Sequence, residues 1–199
     1  NVKDLLNFRK LDGNLEGHPS MRSVTGVDMS TGSLGQGISA AVGMAICGKY
    51  LDKKDYKVYA IIGDGECQEG QVWEAFMAAS HYKLNNLIVF LDYNKLQIDG
   101  TNDEVISLGN ISDKFMAFGC NVIIIDGHDH QAIYNALINA DQELIRPTVI
   151  IANTIKGKGV SFMENQIGWH GSPPNEQQKI NAINEIDEVL KELEEVHND

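Results

Sequence analysis

No run of about eighteen apolar residues occurs anywhere in this 199-residue sequence, so nothing in it is expected to span a membrane as a helix. Paired cysteines are missing as well. Cys47, Cys67 and Cys120 stand far apart, with neither a disulfide framework nor zinc-site spacing. They read as buried thiols kept reduced in the cytoplasm. Positive charge is in short supply: 16 Lys and Arg face 28 Asp and Glu, a formal net charge of -12. Such a surface repels phosphate backbones, which argues against nucleic acid as a partner. No charged-then-apolar leader opens the chain, and no internal repeat or low-complexity linker divides it. With 43% hydrophobic residues, positions 1–199 are expected to form one domain with a sizeable core. The first residue is Asn1, inside a polar, helix-like stretch, so a longer parent protein with a further N-terminal segment is expected.

Glycine, by contrast, is plentiful, and its placement divides the chain. Residues 1–31 carry Gly13, Gly17, Pro19 and Gly26 and read as irregular. Gly32-Ser33-Leu34-Gly35-Gln36-Gly37 then leads into an Ala-, Gly- and Ile-rich helix over Ile38–Leu51. Beyond it, strands and helices alternate. Tyr56–Ile62, Leu87–Leu91, Val122–Ile125 and Thr148–Ala152 are short apolar runs predicted as buried strands. Glu69–His81, Ser112–Phe118 and Gln131–Ile138 are predicted helices, the first with Val72, Phe76 and Ala79 on one face. Glu176–Val196 predicts a long acidic helix with Ile180, Ile183, Ile186, Leu190 and Leu193 at helical spacing, a stripe for core or partner contact. Glu188, Glu192 and Glu195 make its solvated face. Unalternating strands separated by helices imply an α/β fold with a mostly parallel central sheet covered on both faces. Ligands in such folds sit beyond the carboxyl ends of the strands. The loops that matter therefore start at Gly63, Asp92, Asp126 and Asn153.

The first of these loops is Gly63-Asp64-Gly65-Glu66. Its glycines permit a tight turn and a close approach to a ligand, and the helix that follows favours an anion. An aspartate there repels an anion unless a cation lies between them, and Mg²⁺ is the simplest such cation. A bare Gly-Asp-Gly also serves as an ordinary turn. The next strand ends in Asp92-Tyr93-Asn94-Lys95-Leu96, with Asn94 thirty positions after Asp64, the length of one βαβ unit. That spacing puts Asn94 beside Asp64, where its side-chain oxygen and the Leu96 carbonyl would complete the protein's share of an octahedral shell. The same asparagine would equally serve to cap a turn. Asp126-Gly127-His128-Asp129-His130 has the composition of a metal site, but between strand and helix it reads better as a turn at Gly127 and a helix cap at Asp129.

The segment from Gly63 to Gly70, followed by Asp92-Tyr93-Asn94, resembles the thiamine diphosphate fingerprint of transketolases. Gly17-His18-Pro19, Ser30 to Gly37, Val72-Trp73-Glu74-Ala75, Lys156-Gly157-Lys158-Gly159 and Trp169-His170-Gly171 match the same family in order, covering nearly the whole chain. The resemblance implies a three-layer α/β/α thiamine diphosphate-binding fold. It implies Asp64, Asn94 and the Leu96 carbonyl as ligands of Mg²⁺, for which Ca²⁺ or Mn²⁺ would substitute, with Gly65 and Asn94 also touching the diphosphate. Gly32, Ser33 and Leu34 match the segment lining the aminopyrimidine. Lys156 and His170 match residues near the diphosphate and thiazolium, and His170 and His18 match catalytic histidines facing a sugar. Glu69 and Glu74 match acidic residues at a subunit contact, in a network joining two cofactors.

The implied reaction is transfer of a two-carbon ketol group from a ketose phosphate to an aldose phosphate, as in the pentose phosphate pathway. The family's second domain, which activates the aminopyrimidine and carries phosphate-binding arginines, has no counterpart in these residues, and neither has a stretch with further active-site histidines. The chain therefore resembles the N-terminal subunit of a split transketolase. A separate C-terminal subunit would complete it, and two N-terminal subunits would pair within a heterotetramer. A 1-deoxyxylulose-5-phosphate synthase or keto-acid dehydrogenase subunit would share Gly-Asp-Gly and Asn, but fits Ser-Leu-Gly-Gln-Gly and Trp-His-Gly less well. Haloacid-dehalogenase-type phosphatases need an upstream Asp-x-Asp that is not found. A non-catalytic partner domain is disfavoured by the intact Asp64, Asn94 and His170.

Overall fold

The computed structural model describes residues 2–197. A 3₁₀ turn at Val2–Asn7 opens it. Turns and extended chain follow, as expected for that stretch, up to α1 at Gln36–Ile46. The helix does not run regularly on to Leu51; it widens into a π-helical turn, Cys47–Asp52, and stops at Lys53 in a left-handed conformation. A close contact helps set this geometry. A Cβ on Gly48 would lie 2.5 Å from the Tyr56 ring, so glycine admits the ring against the helix.

From there the chain alternates as expected. Strand β1 is Val58–Gly63, a 3₁₀ turn spans Gly65–Gln68, α2 is Gly70–His81 and β2 is Leu87–Tyr93. A two-residue hairpin, β3 (Leu96–Gln97) with β4 (Gly100–Thr101), leads to the short α3, Asn102–Val105. Then come α4 (Ile111–Ala117), β5 (Asn121–Asp126), α5 (His130–Asp141), β6 (Thr148–Asn153) and α6 (Glu176–His197). The hairpin and α3 are not foreseen by the sequence pattern, because elements this short leave no hydrophobic period to read.

The sheet is parallel throughout, in the order β1-β2-β6-β5. Its two faces divide β2 and β6 by alternation. Leu87, Val89, Leu91, Val149 and Ile151 enter one core with α1, α2 and α4. Ile88, Ile150 and Ala152 enter a second core with Ala136 and Ala140 of α5. This is a three-layer α/β/α arrangement with unequal layers. The first core holds Val72, Phe76 and Ala79, each fully buried as the helical spacing predicted. Phe115 packs edge-on to Phe76 with ring centroids 4.9 Å apart, and Trp73 tilts over Phe115 at 5.1 Å. The second layer covers less: Tyr59 and Ile61 of the edge strand β1 stay largely exposed.

Two expectations need adjusting. The apolar stripe of α6 is not core, because Ile180, Ile183, Ile186, Leu190 and Leu193 remain about half exposed, and among the described residues of the helix only Ala182 is buried. Glu188, Glu192 and Glu195 are exposed as expected. The three cysteines are free thiols, but Cys47 is only half-buried rather than buried; burial pushes Cys67 well up and Cys120 up to about 12, which keeps those two protonated.

Strand register aligns the functional loops. Gly63 pairs with Asp92, Asp92 with Ala152, and Asp126 with Asn153. The loops beginning at Gly63, Asp92, Asp126 and Asn153 thus leave the same edge of the sheet.

Candidate functional site

Asp64 follows β1 directly on that edge and is only 2% exposed. It caps the 3₁₀ turn, Oδ1 accepting from Gly65 N–H at 2.7 Å, while Oδ2 accepts a short hydrogen bond from Lys95 N–H. The second bond joins the two loops, since Lys95 follows Asn94. The βαβ spacing between Asp64 and Asn94 therefore does bring them together. Asn94 is half-buried, and its Oδ1 accepts from Leu96 N–H at 3.0 Å. It does make a local turn, yet its oxygen retains a second lone pair for a cation. Lys95 turns through a positive φ of 66° to carry the chain from Asn94 into β3.

Burial holds the Asp64 carboxyl above the usual carboxylate range. The N–H of Lys95, the amide of Asn102 and the N–H of Gly65 act against that shift, and the charge of Asp92 adds to it. A buried carboxylate, an amide oxygen and a backbone carbonyl make a hard-oxygen donor set suited to Mg²⁺, which prefers one or two carboxylates plus water and phosphate. No group of three His, Cys, Asp or Glu side chains forms a metal cluster among the described residues; this donor set does not need one.

A second segment lies across the loop. Gly32 has φ 135°, and a Cβ there would strike the His18 ring at 2.6 Å, so His18 backs the turn that carries Ser33 and Leu34. Gly32 and Leu34 line a cavity with Ile38, Ile61 and Glu66. Glu66 ties this segment down: Oε1 accepts from Gly35 N–H at 2.7 Å and Oε2 from Gly63 N–H at 3.2 Å. Nothing in the sequence indicated that role, because one of its two partners is 31 residues away. Glu66→Ala is expected to lower the free energy of unfolding by about 1–3 kcal/mol. Glu66→Gln, which keeps one acceptor oxygen, should lose less; equal losses in urea titrations would show that the clamp does not hold the segment.

Lys156 and His170 also meet, their Nζ and Nδ1 3.3 Å apart. An ammonium only donates, so Nδ1 accepts and the imidazole proton resides on Nε2. The intervening loop closes on itself. Asn165 N–H donates to the Lys156 carbonyl at 2.9 Å, Trp169 Nε1 to the Phe162 carbonyl at 3.1 Å, and Gly157 abuts Met163 at φ 76°. Lys156 is half-buried, whereas His170 and His18 are exposed. Glu69 and Glu74 are also exposed, at the start of α2 and one turn along it; neither is brought into the Asp64 loop.

The Asp126-to-His130 segment behaves as a turn and cap. Asp129 accepts from Gln131 and Ala132 N–H, and a Cβ on Gly127 would strike Thr154 at 2.5 Å. His128 Nε2 accepts from Ile155 N–H at 2.8 Å, which steadies the loop leading to Lys156. Asn102, also unanticipated, is 5% exposed, and its amide acts on the Asp64 carboxylate.

A parallel α/β sheet with a buried aspartate, an asparagine and a lysine–histidine pair around its carboxyl edge is an arrangement suited to binding an anionic cofactor there. Similarity to known proteins narrows this class. Residues 1–187 match the family model described as transketolase, thiamine diphosphate binding domain, and the chain belongs to that family. It is 42% identical over 184 residues to an apulose-4-phosphate transketolase subunit of Phocaeicola vulgatus, covering 92% of this chain and 65% of that protein. It is 46% identical over 173 residues to the 6-deoxy-6-sulfo-D-fructose transketolase subunit SqwG of Clostridium sp. strain MSTE9, covering 87% and 62%. Human transketolase is 43% identical over 92% of this chain, but only 29% of its own length is matched. The crystal structure of Campylobacter jejuni transketolase superposes with a TM-score of 0.87 at 36% identity, covering 94% of this chain and 30% of that one. The chain thus spans less than two thirds of each of these relatives.

Proposed function

We propose that this chain is the N-terminal subunit of a transketolase. It binds thiamine diphosphate through Mg²⁺ and, with a separate C-terminal subunit, transfers a two-carbon ketol group from a ketose phosphate to an aldose phosphate. The observation that carries the reading is the meeting of Asp64 and Asn94 at adjacent strand ends, with Lys156 and His170 paired on the same edge. The relatives that share most of their length with it are themselves named as transketolase subunits, which supports a complementary chain.

The residues fit the cofactor. Asp64, the Asn94 side-chain oxygen and the Leu96 carbonyl would hold the cation, and Gly65 N–H and Asn94 would meet the diphosphate. Gly65 suits that contact, since a Cβ there would already crowd Gln97 at 3.0 Å. Gly32, Ser33 and Leu34 would line the aminopyrimidine. Thiamine diphosphate, when bound, supplies the carbanion chemistry that breaks and forms the carbon–carbon bond. Lys156 offsets phosphate charge. His170, with its proton on Nε2, and His18 donate and accept protons at sugar oxygens near neutral pH. Exposed Glu69 and Glu74 would contact a second N-terminal subunit in a heterotetramer. The buried, protonated thiols suit the cytoplasm.

The deciding experiment is calorimetry with thiamine diphosphate and Mg²⁺, with and without a co-expressed C-terminal chain. Binding in the complex is expected, and its absence there would sink the reading. Acidity supplies a further test. The folded, metal-free chain holds the Asp64 proton more tightly than the unfolded chain does. Its buried charge therefore costs stability at neutral pH, a cost that disappears as pH falls through the raised value. A cation needs the same carboxylate ionised. The thermal stabilisation given by Mg²⁺ with thiamine diphosphate should therefore fade on acidification, starting at a higher pH than for an ordinary aspartate. A stabilisation that fades no earlier than an ordinary aspartate titrates would argue against Asp64 as the ligand.

A further inference from the structure

Asn102 is 5% exposed, and neither its side-chain oxygen nor its nitrogen has a hydrogen-bond partner within the protein. An amide in that position leaves two donors and an acceptor unsatisfied, which costs stability unless a ligand or water meets them. Native structures rarely keep such a group without a water, an ion or a function.

Its placement is firmly determined. Asn102 is the first residue of α3, held by a capping box in which Thr101 Oγ1 accepts from Glu104 N–H at 3.2 Å and Glu104 Oε2 accepts from Thr101 N–H at 3.0 Å. Its own N–H donates to the Lys95 carbonyl at 3.0 Å. Lys95 is the same residue whose N–H bonds Asp64 Oδ2. Asn102 is therefore fastened to the link between the Asp64 and Asn94 loops. It lines a cavity with Tyr93, Asn94 and Leu96. Its amide acts on the Asp64 carboxylate to favour the charged form, although neither of its polar atoms completes a well-formed hydrogen bond.

We propose that Asn102 is a positioning residue of the cation site: its Nδ2–H₂ orients the Asp64 carboxylate, and its Oδ1 accepts from water carried by a divalent cation. The inference rests on the reading of Asp64 and Asn94 as cation ligands. Each Asp64 oxygen already takes one backbone N–H, so the carboxylate is held from two sides, and Asn102 provides a third. Groups that orient metal ligands from behind are worth roughly 10–100-fold in metal affinity when removed.

The test uses this chain assembled with its C-terminal partner, in the presence of thiamine diphosphate. Mn²⁺ affinity is read from the free-ion electron paramagnetic resonance signal, Mg²⁺ affinity from calorimetry, and the metal-free melting temperature from each variant. Asn102→Leu, similar in volume and without polar atoms, is expected to weaken Mn²⁺ binding roughly 10–100-fold while the metal-free melting temperature holds or rises. Asn102→Ala serves as the second truncation should leucine fail to fold. Asn102→Ser, which keeps a donor and an acceptor, should recover part of the affinity. Unchanged metal affinity in the leucine and alanine variants, or lost metal-free stability with no such recovery by serine, would overturn the proposal. If the unmutated complex binds neither Mn²⁺ nor Mg²⁺, the cation reading itself fails, which is a separate outcome.

Discussion

Asp64→Ala is expected to abolish metal-dependent binding of thiamine diphosphate, with a loss of at least about 100-fold. Asp64 is the one buried carboxylate at the carboxyl edge of the sheet among the described residues. A carboxylate against a divalent cation is worth several kcal/mol even at an effective dielectric of about 20, and each 1.4 kcal/mol is about tenfold. Asn94 and the Leu96 carbonyl contribute dipoles, not charge, so neither replaces it. The substitution also frees the N–H groups of Gly65 and Lys95, loosening the link between the loops. Asp64→Asn separates these effects, because it retains one acceptor oxygen without the charge. Calorimetry on the assembled complex, with circular dichroism to confirm folding, is the measurement. Unchanged affinity in Asp64→Ala would refute the ligand assignment.

His170→Ala is expected to slow turnover by roughly 10²–10⁴-fold, the usual worth of a positioned proton donor or acceptor. Cofactor affinity should change far less. The asymmetry follows from the pair Lys156 and His170. Under the proposed function the lysine would offset diphosphate charge, while the exposed imidazole would exchange protons with a sugar oxygen. Lys156→Ala should therefore show the opposite pattern, with affinity for thiamine diphosphate falling more than kcat at saturating cofactor. Steady-state kinetics of the two variants beside their cofactor titrations distinguish the roles. Normal kcat in His170→Ala would remove it from proton transfer.

The site was legible to different depths. Asp64 and Asn94 were readable because a βαβ unit of thirty residues has only one common geometry, with adjacent parallel strands and both loops at one edge. Glu66 and Asn102 were not. A glutamate beside Gly65 is ordinary for a turn, and its partner Gly35 comes from a segment reached only through the packing of α1 against α2. Asn102 follows a hairpin too short to show in any periodicity, and an asparagine there reads as a surface residue. Glu69 and Glu74 are exposed, and in a single chain a residue that would meet a second subunit is indistinguishable from a solvated one.

Local sequence was enough to set the alternation of buried strands and helices, the face of α2 that enters the core, the loops at the carboxyl edge and the acidic face of α6. All of these depend on local period and on turn chemistry. The insertion of β6 between β2 and β5 came from tertiary packing, because strand order follows from which crossover packs best and not from any single strand's composition. Packing also left one face of β1 and the stripe of α6 open: a hydrophobic period marks a face fit for burial, and only the neighbours determine whether it is buried. And it brought Gly35, Gly63 and Glu66, and likewise Asp64, Lys95 and Asn102, into single clusters, since contacts between distant loops exist only once the sheet has placed their ends side by side.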